Sequence, residues 1–334
     1  MDKLDQVRWG IIGCGDVTEV KSGPGLQKAE GSSLVAVMRR NGRLAEDYAK
    51  RHGVAKWYSD AQALIDDPDV NAIYVATPPD SHATYVVAAA KAGKPVYVEK
   101  PMGRSYQECV SMVAACEEAD VGLYVAYYRR ALPRFLKIKS LIESGAIGDV
   151  RYVKIQQHQY LRDDELAELK PWRVIESISG GGKFLDYGSH TLDIMAYLLG
   201  DITYVDGTAT NGGGAYDVED TVTANLTFGE NILGTGTWCF AAFEDDDKNE
   251  IVGSIGKLKF SIFGTEPVEL RTRSGIETFD IKPPAHIQQP LIQTIVDELR
   301  GIGECHSTGL TAAKTNHIMD QVLAGYKVQS GKGV

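Results

Sequence analysis

The sequence predicts an α/β domain built on a parallel sheet, followed by an α+β domain with an open, mainly antiparallel sheet. Three observations carry this. The chain has 334 residues, and at about 150 residues per domain that is room for two. The first ~125 residues alternate short apolar runs with helical stretches, the signature of βα units. Beyond residue 127, strand-like runs follow one another through short glycine-containing turns, which pairs neighbours antiparallel. The expected domains are therefore 1–126 and 127–334. With 43% apolar and 24% charged residues, both can form ordinary cores without staples.

The elements follow in order. Val7–Ile12 is almost continuously apolar, as suits a strand buried on both faces. Leu34–Met38, Ala72–Ala76, Val96–Val98 and Leu123–Tyr127 are the other expected parallel strands. The third and fourth are each introduced by a turn, Asp67-Pro68-Asp69 and Gly93-Lys94-Pro95. Arg43–His52 and His82–Ala92 are helical stretches, the second stopped at Gly93. A helix over Pro133–Ser144 ends at Gly145. Strands are expected at Val150–Tyr160, Ile202–Thr208, Thr221–Thr227, Gly234–Cys239, Glu250–Ser254 and Lys257–Phe263. The acidic run Glu244–Asp247 reads as a solvated loop.

Composition excludes several classes. The net charge is −10, with acidic side chains in excess in both halves. Such a surface repels a phosphate backbone, so nucleic acid is not an expected partner. No apolar run approaches the roughly 18 residues that span a bilayer, and the mixed-charge N-terminus has no secretory h-region. Five cysteines without a Cys-x-x-Cys pair point to a reducing compartment, and the expected location is cytoplasmic. The seven histidines show no metal-ligand spacing, so no metal is expected.

The first chemistry-bearing motif closes the first strand. In Gly10-Ile11-Ile12-Gly13-Cys14-Gly15-Asp16-Val17-Thr18, Gly13 permits the tight turn. Gly15 lets backbone N–H groups approach a pyrophosphate at the start of the helix opened by Asp16 and Val17. Thr18 replaces the usual third glycine, which should loosen helix–strand packing. Ser22-Gly23-Pro24-Gly25 then predicts a break in the helix. The second strand ends Met38-Arg39-Arg40-Asn41, with no acid until Glu46. An acid there would hold a ribose 2′-hydroxyl, whereas Arg39 and Arg40 favour a 2′-phosphate and so NADP, with NAD possible.

Two further motifs make the pattern specific. Thr77-Pro78-Pro79-Asp80-Ser81-His82 ends one strand and Val98-Glu99-Lys100-Pro101 another. With Gly180-Gly181-Gly182-x-x-x-Asp186-x-x-x-His190, they resemble the glucose–fructose oxidoreductase/inositol dehydrogenase (Gfo/Idh/MocA) family over nearly the whole chain. The resemblance implies a Rossmann domain and a catalytic trio of Lys100, Asp186 and His190. It also implies cofactor contacts from Gly13, Gly15, Asp16, Val17, Thr77, Pro78, Pro79, His82, Glu99 and Lys100, and a Lys100–Pro101 bond that is often cis. Trp172 and Arg173 occupy the place where the family's Trp-Arg approaches the cofactor, and a homodimer or homotetramer is implied as well.

The residues make chemical sense without the family. Lys100 sits at the carboxyl end of a parallel strand, where open α/β sheets bind ligands. An ammonium there can stabilise alkoxide character on a substrate oxygen. Asp186 and His190 are four apart and, on one helix, share a face. Imidazole titrates near neutrality and suits proton exchange with a hydroxyl. Asp193 is either a second partner of His190 or a surface residue.

Other positions leave two readings each. Tyr128 and Arg129 follow the last parallel strand, where relatives place substrate and cofactor contacts. The run Arg129, Arg130, Arg134, Lys137, Lys139 is either a solvated helix face or an anion site. His158 shares a strand face with Tyr152, Gln156 and Tyr160, lining a sugar pocket or an oligomer contact. The Pro283–Pro290 loop, with His286, is a candidate pocket wall.

The expected function is NADP-dependent hydride transfer to or from a secondary alcohol or ketone on a sugar-like or cyclic diol substrate. Two rivals remain: a family-related glycoside hydrolase that uses bound NAD transiently, and a non-catalytic nucleotide- or sugar-binding regulator. The complete Lys/Asp/His set speaks against the second.

Overall fold

The structure is a computed structural model that describes residues 3–331. It divides into two compact units. The described residues up to Leu132 pack with Pro284–Ala313, and Pro133–Pro283 pack with the residues from Lys314 onward.

The first unit is built on six parallel strands: β1 (Val7–Ile12), β2 (Ser32–Met38), β3 (Lys56–Tyr58), β4 (Ala72–Val75), β5 (Val96–Val98) and β6 (Leu123–Val125). Their order is β3-β2-β1-β4-β5-β6, which reverses direction between β1 and β4 and so opens a crevice at their carboxyl ends. The central strands are apolar throughout because both faces are covered: β4 and β5 have no exposed residue. The expected helix break is present as two short helices, Asp16–Val20 and Gly23–Lys28. Gly23 is needed there, since a Cβ would collide with the Thr18 carbonyl oxygen. Asn41 caps the helix Gly42–His52 by accepting from the Leu44 N–H, and Gly53 ends it in the left-handed conformation.

The segment 284–313 comes from far along the chain. Its helix Gln289–Leu299 buries Leu291, Ile292, Ile295, Val296 and Leu299, a stripe of helical spacing. Gly25 allows the close approach of Ile292. The Ser307 carbonyl accepts from the Val125 N–H of β6 at 3.0 Å, and the Ser307 hydroxyl donates to the Val125 carbonyl at 2.7 Å.

The second unit carries β7 (Val150–His158), β8 (Ile202–Thr210), β9 (Thr221–Phe228), β10 (Ile232–Cys239), β11 (Asp246–Gly253), β12 (Gly256–Phe260), β13 (Val268–Thr272) and β14 (Gly275–Phe279). They form one sheet, β14-β13-β12-β11-β7-β10-β9-β8, antiparallel except for the β7/β10 pair. One face is core: Val153, Ile155, Val222, Leu226, Trp238 and Ile251 are buried. The helix Ser189–Leu199 packs there, with Trp238 donating its indole N–H to Thr191 Oγ1 at 3.0 Å.

Two expectations are corrected. Glu244–Asp247 is not wholly a loop, because β11 begins at Asp246, opposite His158. The basic run is not a solvated face: Arg129, Arg130 and Arg134 are buried. Arg130 donates to the His306 carbonyl, and Arg134 to Ser261 Oγ. The Lys137 ammonium lies over the Phe279 ring, while Lys139 pairs with Glu143. The Pro283–Pro290 loop docks on the two short helices after β1, where His286 bonds Lys28 and the Val20 carbonyl. Among the described residues, no helix is long and apolar enough to cross a membrane.

Candidate active site

In the first unit, three loops gather at the carboxyl ends of β1, β4 and β5. Gly13 has φ +92, and a Cβ on it would lie 2.6 Å from the Thr77 side chain. The glycine is thus required by backbone geometry and by contact with the loop after β4. Gly15 differs: a Cβ there would meet nothing closer than 3.8 Å, and its extended backbone suits any residue. Its N–H is taken by Thr18 Oγ1 at 3.0 Å, and Thr18 in turn donates to the Gly15 carbonyl. Thr18 is fully buried, so it ties the turn to the helix rather than loosening their packing. Asp16 and Val17 hold the first helical turn. Cys14 is buried beneath them, and that burial pushes its thiol up to about 11.

Thr77 receives a hydrogen bond from Ser81, which also donates to the Pro78 carbonyl. His82 is wholly buried, with one ring nitrogen 2.8 Å from the Thr77 carbonyl and the other 3.1 Å from that of Met102. Burial holds its pKa below the ordinary imidazole value. His82 therefore pins the loops after β4 and β5 together from below.

Glu99, at the end of β5, is 8% exposed. Its Oε1 accepts from Tyr74 and Gln288, and its Oε2 faces the Lys100 amide. Lys100 itself is half-buried, and the Lys100–Pro101 bond is cis. Arg39 and Arg40 lie exposed at the end of β2, and among the described residues neither forms an ion pair. Tyr128 and Arg129 are mostly buried, with the guanidinium against the Tyr128 ring.

In the second unit, Asp186 and His190 do not lie on one regular α-helix. Asp186 falls in a π-helical turn, Phe184–Gly188, and His190 in the α-helix that follows. Single π turns of this kind recur at functional sites. Asp186 accepts from Arg173 Nε at 2.9 Å, and that guanidinium lies 4.5 Å from the Trp172 ring. The sequence pairs Trp172-Arg173 and Asp186-His190 are thus brought together through Arg173. His190 is 4% exposed and edge-on to Phe263. Asp193 is buried, not at the surface. His158 projects from the sheet face opposite the one that carries the His190 helix, the face that also carries the exposed Tyr152 nearer the other end of β7.

The glycines before Asp186 answer to the chain itself. Gly182 donates its N–H to Glu219 Oε1 at 2.8 Å, and a Cβ would collide with the Glu219 carbonyl oxygen. Next to it, Lys183 forms a buried ion pair with Glu165 at 2.7 Å and sits near the Tyr187 and Phe240 rings. Glu219, Lys183, Glu165 and Phe263 escaped sequence reasoning, and Gln288 was flagged only as part of the Pro283–Pro290 loop. A lysine inside a glycine-rich motif was the one signal available for Lys183; the others become neighbours of the site only through long-range packing.

Comparison with known proteins bears on these features. Residues 7–127 match a family model described as an oxidoreductase family with an NAD-binding Rossmann fold, and residues 135–259 match the GFO/IDH/MocA C-terminal domain. An oxidoreductase of Formosa agariphila is 40% identical over 94% of this chain and 98% of its own. The myo-inositol 2-dehydrogenase of Thermotoga maritima is 32% identical over 75% of this chain and 74% of its own. A levoglucosan dehydrogenase solved with NADH and levoglucosan superimposes with a TM-score of 0.84 at 24% identity, covering 97% of this chain and 98% of that one; that likeness shows the fold.

Proposed function

Because the chain belongs to the Gfo/Idh/MocA oxidoreductase family, we propose that it is an NADP-dependent dehydrogenase acting on a secondary alcohol, or the matching ketone, of a sugar-like or cyclic diol substrate. The observation that carries the cofactor half is the crevice between β1 and β4. Gly13, Thr77 and the Glu99–Lys100 loop all lie at the carboxyl ends of adjacent parallel strands there, the place where such sheets bind nucleotides. Gly15 fits a pyrophosphate, since among the described residues the atom nearest the place of a Cβ is the Gly13 carbonyl oxygen, 3.8 Å away.

When bound, the nicotinamide takes the substrate's hydride in oxidation or supplies it in reduction. Lys100 donates a hydrogen bond to the reacting oxygen and stabilises its alkoxide character. His190 accepts the hydroxyl proton in oxidation and returns it in reduction. Asp186, already bound to Arg173, adjusts the charge around the imidazole. Polyol-type substrates are supported by relatives named as inositol and levoglucosan dehydrogenases. In this scheme residues 1–126 hold the nucleotide, while 127–334 hold the substrate and mediate oligomerisation. The last role is supported by a row across the outer sheet face, Tyr204, Leu233 and Tyr152, in which all three side chains are exposed. Sedimentation should show a homodimer or homotetramer.

Arg39 and Arg40 support NADP over NAD. Two charge-assisted hydrogen bonds at ~1.5 kcal/mol each would give roughly a hundredfold preference before exposure reduces it. Titration of both nucleotides against wild type and Arg40→Ala tests this: the variant should lose NADP affinity and keep NAD, and equal wild-type affinities would overturn the NADP reading. A panel of sugars, inositols and dihydrodiols, followed by nucleotide absorbance, tests the substrate class. His190→Asn should flatten the rate's pH dependence near neutrality.

A further inference from the structure

Glu99 is a nearly buried carboxylate in a position that an apolar residue would fill at lower cost, and its surroundings are specified atom by atom. Tyr74 donates its hydroxyl to Oε1 at 2.6 Å, and the Gln288 amide donates to the same oxygen at 2.8 Å. The Gln288 amide cannot turn over, because its own oxygen accepts from the Tyr97 hydroxyl at 2.8 Å. Tyr74 and Tyr97 stand in register on β4 and β5, and their rings stack at 4.7 Å. Gln288 is 1% exposed and belongs to the segment that returns to the first unit some 190 residues after β5. The chain Tyr97, Gln288, Glu99, Tyr74 thus saturates Oε1 and leaves Oε2 toward the Lys100 amide, 3.2 Å away.

We propose that Gln288 is a positioning residue for the nicotinamide half of the cofactor: with Tyr74 it fixes the Glu99 carboxylate, and through Oε2 the Glu99–Lys100 backbone, in the orientation that receives a ribose hydroxyl. This rests on the nucleotide-binding reading above. The network is neutral apart from Glu99, so its strength lies in geometry. A buried carboxylate with two donors on one oxygen has its other oxygen aimed before any ligand arrives, and the binding cost of ordering it is already met.

The test uses the intact chain and tryptophan fluorescence or calorimetry. NADPH and NADH probe the whole dinucleotide, and ADP probes the adenine half alone. Gln288→Leu and Tyr74→Phe each remove one donor to Oε1. Each should weaken the dinucleotide by about tenfold, the factor that corresponds to 1.4 kcal/mol, while ADP binding stays as in wild type. Tyr97→Phe, which only releases the Gln288 amide, should give a smaller loss of the same kind. If Gln288→Leu fails to fold, the two phenylalanine variants carry the test, since each removes a single hydroxyl. Unchanged dinucleotide affinity in the variants would overturn the proposal. So would parallel losses for dinucleotide and ADP, which would mark a merely structural role. Failure of wild type to bind any of the three ligands would instead overturn the nucleotide reading, and the positioning role with it.

Discussion

The two glycine-rich stretches of this chain look alike in sequence and serve opposite ends. In Gly13-Cys14-Gly15, a Cβ on the second glycine would meet nothing among the described residues closer than 3.8 Å, so packing there does not demand glycine. In Gly180-Gly181-Gly182, the last glycine is pressed against the Glu219 backbone and bonded to its carboxylate. Gly13 and Gly182 thus answer to the chain's own packing, whereas Gly15 is the glycine for which a ligand-admitting role is proposed. The same division runs through the charged groups. Lys100 is half-buried with a catalytic role toward the substrate oxygen proposed for it, whereas Lys183 is locked in a buried pair with Glu165. A motif residue can therefore be essential for either reason, and activity and stability separate the two.

The largest expected effect tests the fold-serving side. Lys183→Met leaves Glu165 buried without its partner, which should cost about 3–5 kcal/mol of stability. Denaturant unfolding checks this, and a midpoint like wild type would place Lys183 among the ligand-serving residues. Next comes Lys100→Met, expected to leave the melting temperature alone while turnover falls at least ~100-fold, the scale of losing one electrostatic stabiliser. A variant that keeps most of its activity would remove Lys100 from the catalytic trio.

The glycines give the cleanest contrast. Gly182→Ala forces a Cβ into the Glu219 carbonyl and should destabilise by about 1–3 kcal/mol. Gly15→Ala should melt as wild type does and lose nucleotide affinity instead. Reversed outcomes would break the comparison.

The smallest effect lies beside the nucleotide turn. Arg51, with help from His52, draws the Glu19 carboxyl down from 4.5 to about 2. A depressed folded-state pKa contributes stability that is present above the unfolded value and lost as pH falls through the folded one. The contribution should therefore fade between pH 4.5 and about 2. Because the pair is partly solvated, screening keeps it small. Acid titration of Glu19→Gln should show a shallower loss of stability in that window than wild type, and identical curves would make the pair ornamental.

Much of the fold was legible in the residues. β1 and β5 match the expected strands residue for residue, because burial on both faces leaves an apolar run, broken in β1 only by Arg8 and Gly10. The break at Gly23-Pro24 was legible because proline and glycine act on their own backbone. The three strands that sequence reasoning missed were β3, β13 and β14. β3 and β14 are short sheet edges, and an edge strand pairs on one side only, so it tolerates charge and exposure and leaves little periodic trace.

What the sequence by itself determined is the local grammar: parallel strands, a glycine turn of phosphate-binding type, and motifs whose family resemblance points to Lys100, Asp186 and His190. Those features rest on neighbours a few residues apart, where periodicity and backbone preference operate. Tertiary structure alone decided the rest. It put Asp186 in a π turn bonded to Arg173, buried Arg129, Arg130 and Arg134, and brought Gln288 to Glu99. It also made Gly182 a packing residue and left Gly15 open. The physical reason is that burial and hydrogen-bond partnership belong to pairs of groups far apart in the chain, and no single residue's identity records which distant group will meet it.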